Sequence, residues 1–139
     1  MDLRRISDSF SVSPQIAPSD VLAIKEAGFR AIMCNRPDGE DAGQPGTAAI
    51  EEAAKEAGLE FRAVPILSGP LDEADVAAFK SALAELPQPV LAYCRSGTRC
   101  TTVWSIIQVG QMPDAQIVAA AANAGYDVRG IVAQISGRG

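Results

Sequence analysis

One stretch constrains this chain more than any other. The apolar run Val90-Leu91-Ala92-Tyr93 ends in Cys94-Arg95-Ser96-Gly97-Thr98-Arg99 and passes into a largely apolar segment, Thr101 to Val109. A short apolar run bounded by breakers reads as a buried strand, and the longer segment after it as a helix. A strand that turns tightly into a helix commits the chain to an α/β architecture. It also puts the turn at the carboxyl edge of the sheet, where open α/β proteins hold their ligands.

The other segments repeat the pattern. Ile6, Asp8, Phe10 and Val12 alternate weakly, as in a short strand or hairpin. Pro18 suits the first turn of a helix over about Ser19 to Ala27, stopped by Gly28. Arg30-Ala31-Ile32-Met33-Cys34 reads as a buried strand emptying into the polar loop Asn35 to Glu40. Thr47 is placed to cap a helix with Ile50, Ala53, Ala54 and Ala57 on one face and Gly58 as its stop. Glu60 to Leu67 is the next strand. Asp72 caps a helix whose Val76, Phe79, Leu83 and Leu86 recur at helical spacing until Pro87 and Pro89. An alanine-rich helix follows Met112-Pro113-Asp114, and Gly125-Tyr126-Asp127 introduces a last helix through Ile135. Strands alternating with helices predict a mostly parallel sheet of 4-5 strands covered on both faces. The length suffices for one core, so residues 1–136 read as a single domain and 137–139 as a loose tail.

Composition narrows the chemistry. A formal net charge of -5 argues against a general basic face for nucleic acid or anionic membrane, so any anion must be captured locally. The first residues do not read as a secretory signal, no run is long and apolar enough to span a membrane, and three cysteines are too few for a disulfide framework; a reducing cytoplasm fits best. Histidine is absent, which removes Ser-His and Cys-His pairings and most zinc chemistry, and the cysteines have no metal-ligand spacing. No metal or cofactor is expected.

The Cys94 loop carries the functional signal. Its backbone N–H groups and the start of the following helix make an anion cradle that depresses the thiol pKa, producing a thiolate nucleophile. Gly97 lets the backbone turn inward, Ser96 and Thr98 offer hydroxyls, and Arg99 can fork onto an oxyanion; Arg95 either does the same or faces solvent. An inert strand-end cysteine, a common fate for a free thiol, would not require two arginines and a glycine turn beside it.

This loop resembles the six-residue active-site loop of rhodanese-type sulfurtransferases. A second resemblance spans nearly the whole chain. Phe10-Ser11-Val12-Ser13-Pro14-Gln15-Ile16, Ala27-Gly28-Phe29-Arg30, Asn35-Arg36-Pro37-Asp38-Gly39-Glu40, the Cys94 loop and Ala124-Gly125-Tyr126-Asp127 are together similar to the phosphatase-like domain of beta-lactamase-hydrolase-like proteins, relatives of dual-specificity protein tyrosine phosphatases. That likeness implies a bacterial enzyme with a three-layer protein-tyrosine-phosphatase-like α/β fold, acting on a small anionic substrate. It further implies a functional partner in sulfur metabolism or a metallo-lactamase-type protein.

The chain departs from the tyrosine-phosphatase pattern at three places. Tyr93 stands where a histidine precedes the cysteine, and Cys100 where the arginine belongs, with Arg99 one step early, so the loop is one residue short. The aspartic acid that protonates the leaving oxygen falls at Ser68. Asp72, Glu73 and Asp75 are candidates from the same segment, more readily read as helix-start residues; Asp38 and Glu40 are further candidates. Arg36 either adds a second cation to the anion site or is solvated. Cys100 reads as a core residue, with a resolving thiol for Cys94 as the alternative, and Tyr93 and Trp104 as core aromatics.

Three activities follow. First is a hydrolase in which Cys94 attacks phosphorus while Arg99 and the loop amides stabilise the oxygens. Second is a sulfurtransferase carrying a Cys94 persulfide, favoured by the short loop and needing no general acid. Third is a catalytically weak anion-binding or thiol redox-sensing module.

Overall fold

The computed structural model describes residues 1–138. Five strands form one sheet in the order β1-β2-β5-β3-β4, where β1 is Arg4–Ser7, β2 Phe10–Ser13, β3 Ala31–Cys34, β4 Glu60–Ala63 and β5 Val90–Tyr93. Only the β1–β2 hairpin is antiparallel; the β2–β5, β3–β5 and β3–β4 pairs are parallel. The register sets Ser13 and Cys34 level with Tyr93 on either side. Three chain segments therefore leave the sheet side by side, and Cys94 is first out of the central strand.

Alternation along β5 sorts its side chains into two cores. Val90 and Ala92 join Phe10, Met33, Phe79, Val103 and Trp104 on one face; Leu91 and Tyr93 join Ile24, Ile32, Ile50 and Ala54 on the other. The same alternation carries Cys94 onto the first face with Cys100. That face is covered by α3 (Glu73–Glu85), α4 (Thr98–Gln108), α5 (Asp114–Asn123) and α6 (Arg129–Arg138), and the opposite face by α1 (Val21–Glu26) and α2 (Thr47–Ala57). Phe10 stacks on Trp104 with ring centroids 6.1 Å apart and planes 5° from parallel, so both Trp104 and Tyr93 are core aromatics. No helix is long and apolar enough to cross a membrane.

Several boundaries differ from the sequence expectation for local reasons. The first helix opens as a 3-10 turn, Pro18–Asp20, in which the Asp20 carboxylate accepts from the Ala17 N–H at 2.8 Å, before α1 proper. Thr47 does not cap α2. Gly46 holds the cap position and the Asp38 carboxylate accepts from both the Thr47 N–H at 2.8 Å and its hydroxyl at 2.7 Å, a cap supplied from nine residues upstream. At the other end of α2, Gly58 adopts the left-handed φ of 83° that closes a helix. Strand β4 stops at Ala63, yet Val64 and Ile66 still donate to the Cys34 and Asn35 carbonyls, so the chain stays extended to the sheet edge. The helix after the Cys94 loop begins at Thr98 rather than Thr101, and α6 continues through Arg138. Gly137 and Arg138 are thus helical and not a loose tail; Gly139 lies outside the described residues.

Candidate active site

The Cys94 loop joins β5 to α4. Gly97 sits at the helix N-cap with φ 88°, and its N–H donates to the Cys94 Sγ at 3.1 Å. A side chain there is excluded twice. The left-handed φ disfavours L-residues, and a Cβ would fall 2.2 Å from the Tyr126 hydroxyl. That hydroxyl donates to the Ser96 carbonyl at 2.8 Å, and the Arg4 guanidinium lies 5.1 Å from the centre of the Tyr126 ring. Substituting Gly97→Ala is expected to destabilise the domain by about 1–3 kcal/mol and to lower turnover. Pairing it with Tyr126→Phe should recover part of the loss in a thermal melt, and no recovery would mean that backbone strain alone accounts for it.

Cys94 is fully buried. A hydrogen bond from the Cys100 thiol is the largest influence on it; burial opposes ionisation, and the N–H groups of Cys100, Ser96 and Gly97 favour it, so its pKa falls from 9.0 to about 5. Burial and the neighbouring Cys94 raise the Cys100 pKa, keeping that thiol protonated and a donor. Cys100 is therefore both a core residue, as its position after Arg99 predicted, and a direct partner of Cys94.

Arg99 reaches across to the β3 loop. Its Nη1 donates to the Glu40 carboxylate at 2.7 Å and to the Ile66 carbonyl at 2.9 Å, and its Nη2 donates to Glu40 at 2.8 Å. Glu40 also accepts from the Arg36 Nε at 3.0 Å. Arg36 is not solvated: its side chain is 4% exposed, with its remaining nitrogens on Gln15 at 3.0 Å and Asp41 at 2.8 Å. One carboxylate thus lies between two arginines. The Arg99 hydrogen bond, followed by that from Arg36, outweighs burial and holds the Glu40 pKa down to about 2. The Nε–H and one Nη2–H of Arg99 have no partner among the described residues, leaving one edge of the guanidinium for an anion.

The other candidates are placed as follows. Arg95 points outward, 68% exposed, with Asp41 at 3.9 Å. The Ser96 hydroxyl bonds the Thr98 hydroxyl at 2.9 Å and accepts from its N–H at 3.4 Å, completing the first turn of α4. Asp72 caps α3 by accepting from the Ala74 N–H at 2.8 Å, while Asp38 caps α2, so both carboxylates are engaged in helix starts. Cys34 donates to the Arg36 carbonyl at 3.3 Å. Gln15, Asp41 and Tyr126 were not singled out from sequence. Gln15 and Tyr126 act through contacts 21 and 30 positions along the chain, and Asp41 through Arg36 five positions before it, next to the polar Asn35 to Glu40 loop.

A cleft of about 760 Å³ adjoins the second half of the loop, between the Leu67–Leu71 segment, α3, α4 and α6. Thr98 and Arg99 form part of its wall, and Glu73 is the one carboxylate lining it among the described residues.

Residues 2–111 match the family of beta-lactamase hydrolase-like protein, phosphatase-like domain. The chain belongs to this family. A beta-lactamase hydrolase-like protein of Xylella fastidiosa is 33% identical over 130 residues, 92% of this chain and 30% of that protein, so the chain spans under a third of that relative's length. In three dimensions it resembles a Neisseria meningitidis protein provisionally classed as a phosphatase, with a TM-score of 0.86 and 31% identity over 99% of this chain and 98% of that one. It also resembles the core catalytic domain of the PP-IP phosphatase SIW14 from S. cerevisiae, solved with citrate, at a TM-score of 0.71 and 14% identity over 99% of this chain and 84% of that one, a likeness of fold. The architecture is that of the protein-tyrosine-phosphatase-like proteins, and this phosphatase-like domain carries its Cys94 loop at the carboxyl edge of the sheet.

Proposed function

We propose that this domain is a thiolate-dependent phosphomonoesterase. The observation that carries the reading is the Cys94 sulfur held by N–H donors at the start of α4, beside an arginine with one guanidinium edge unoccupied. The thiolate attacks phosphorus as the bond to the leaving oxygen breaks, giving a phosphocysteine. The loop N–H groups and Arg99 take the charge of the equatorial oxygens. Water then cleaves the S–P bond, releasing phosphate and returning the thiolate. With Asp38 and Asp72 engaged as caps and Glu40 between two arginines, this site suits substrates whose leaving group departs readily without a proton, such as aryl phosphates.

One observation favours a second reading. Cys94 is sealed and its loop one residue short, which suits a single added sulfur better than a tetrahedral group. In that case the Cys94 thiolate attacks the outer sulfur of a sulfane donor such as thiosulfate, breaking the donor's S–S bond and releasing sulfite, and an acceptor thiolate then attacks the outer sulfur of the Cys94 persulfide, returning the Cys94 thiolate. Exposing the protein separately to an aryl phosphate and to thiosulfate with cyanide, with mass spectrometry of Cys94, decides between them. Phosphate release with a trapped phosphocysteine is the expected outcome; thiocyanate release through a persulfide, without phosphate, would replace the first reading with the second.

A further inference from the structure

The cleft beside the loop is apolar along most of its wall, with Arg99 and Glu73 its charged residues. Leu67, Leu71, Val76, Ile106, Ile131 and Ile135 face it from four separate elements, and Leu67 is 70% exposed, one of the most exposed large apolar side chains among the described residues. Arg99 is the one cation in the lining. A volume of about 760 Å³ lies within the range of small-molecule sites.

This distribution discriminates among leaving groups. A second phosphate, a nucleotide or a polyanionic sugar would meet no further cation along the wall and would face Glu73. An alkyl-substituted aryl group would instead cover aliphatic surface otherwise open to water, with its phosphoryl end at Arg99 and the loop. We propose that the cleft is the leaving-group subsite and selects phosphomonoesters of uncharged, predominantly apolar phenols. The proposal rests on the phosphomonoesterase reading above, and the experiment separates the two.

The probes are two matched series on a phenyl ring bearing hydrogen, methyl, butyl or hexyl at the para position. One is of phosphonates, read by calorimetric binding. The other is of phosphates, read by phosphate release; the alkyl group barely alters the phenol's acidity, so chemistry is held constant. Affinity and kcat/KM should each rise about threefold to fourfold per methylene until the cleft is filled. Ile135→Ser and Leu67→Ser, both uncharged changes on the cleft wall, should flatten that gradient, lowering affinity and kcat/KM for the hexyl compounds far more than for the unsubstituted phenyl ones.

A flat gradient in the wild type, no phosphonate binding at all, or a gradient as steep in both variants as in the wild type would overturn the proposal. Phosphate released at one rate from every chain length would leave the phosphatase reading standing and remove the apolar subsite. A binding gradient abolished by the variants, with no phosphate released from any member, would keep the apolar site and remove the phosphatase reading.

Discussion

Replacing Cys94 with serine will lower kcat by at least about a thousandfold while leaving the domain folded. Serine fits the volume and can still accept from the Gly97 N–H, but its hydroxyl stays protonated at neutral pH and no base lies beside it to change that. The Cys100 thiol that helps ionise Cys94 is a donor, not a base. The pH dependence of stability gives an independent reading. Because the folded-state pKa of Cys94 is depressed from 9.0 to about 5, its ionisation contributes stability that is complete above pH 9 and lost as pH falls through 5. The difference in unfolding midpoint between wild type and Cys94→Ser should therefore shift toward the wild type from about pH 5 to pH 9. Full turnover by the serine variant would end the thiolate mechanism, and a pH-independent difference would mean that Cys94 is not ionised in the fold.

The second large effect is expected at Glu40. Glu40→Gln preserves shape and removes the charge between Arg36, 4% exposed, and Arg99, 14% exposed. Leaving buried cations without their counter-ion costs about 3–5 kcal/mol when the site is fully closed. Glu40 is itself 21% exposed and Arg36 keeps Asp41, so we expect about 2–3 kcal/mol, a drop in midpoint of roughly 5–12 °C. Activity should also fall, because Arg99 loses the bidentate contact that aims its free edge. The acid limb shows the sign: with the Glu40 pKa lowered from 4.5 to about 2, the wild type loses this stabilisation only as pH falls through that interval, and the variant should lack that loss. A midpoint within a degree of the wild type would mean that water supplies the missing charge.

These two residues differ in how plainly the sequence announced them. Cys94 was legible as a candidate because the features that mark it are local: the apolar run before it, the glycine after it and the helix that follows lie within one continuous stretch. The parallel sheet was legible for a related reason, since β3 and β5 are short apolar runs between breakers. Glu40 was visible only as one acid among several in a polar loop. Its pairing with Arg99 spans 59 positions and exists because β3 and β5 end level with one another. The Asp38 cap on Thr47 was missed on a smaller scale, because a capping side chain was sought at the helix start and it came from across a loop. The accessory roles weighed for Asp38 and Asp72 rested on the sheet edge and the chain segment they belong to, which say nothing of what a carboxylate already holds.

The Tyr126 contact bears on where the working unit ends. The family match closes at residue 111, yet the hydroxyl that fixes the Ser96 carbonyl comes from Tyr126, and the ring beneath it is steadied by Arg4 at the opposite end of the chain. The stretch that the family match covers is shorter than the stretch that holds the Cys94 loop in shape. A fragment cut at residue 111 would keep Cys94 and Arg99 and lose the brace that keeps their loop in register, so a truncated domain that proved inert would say little about the chemistry of the intact one.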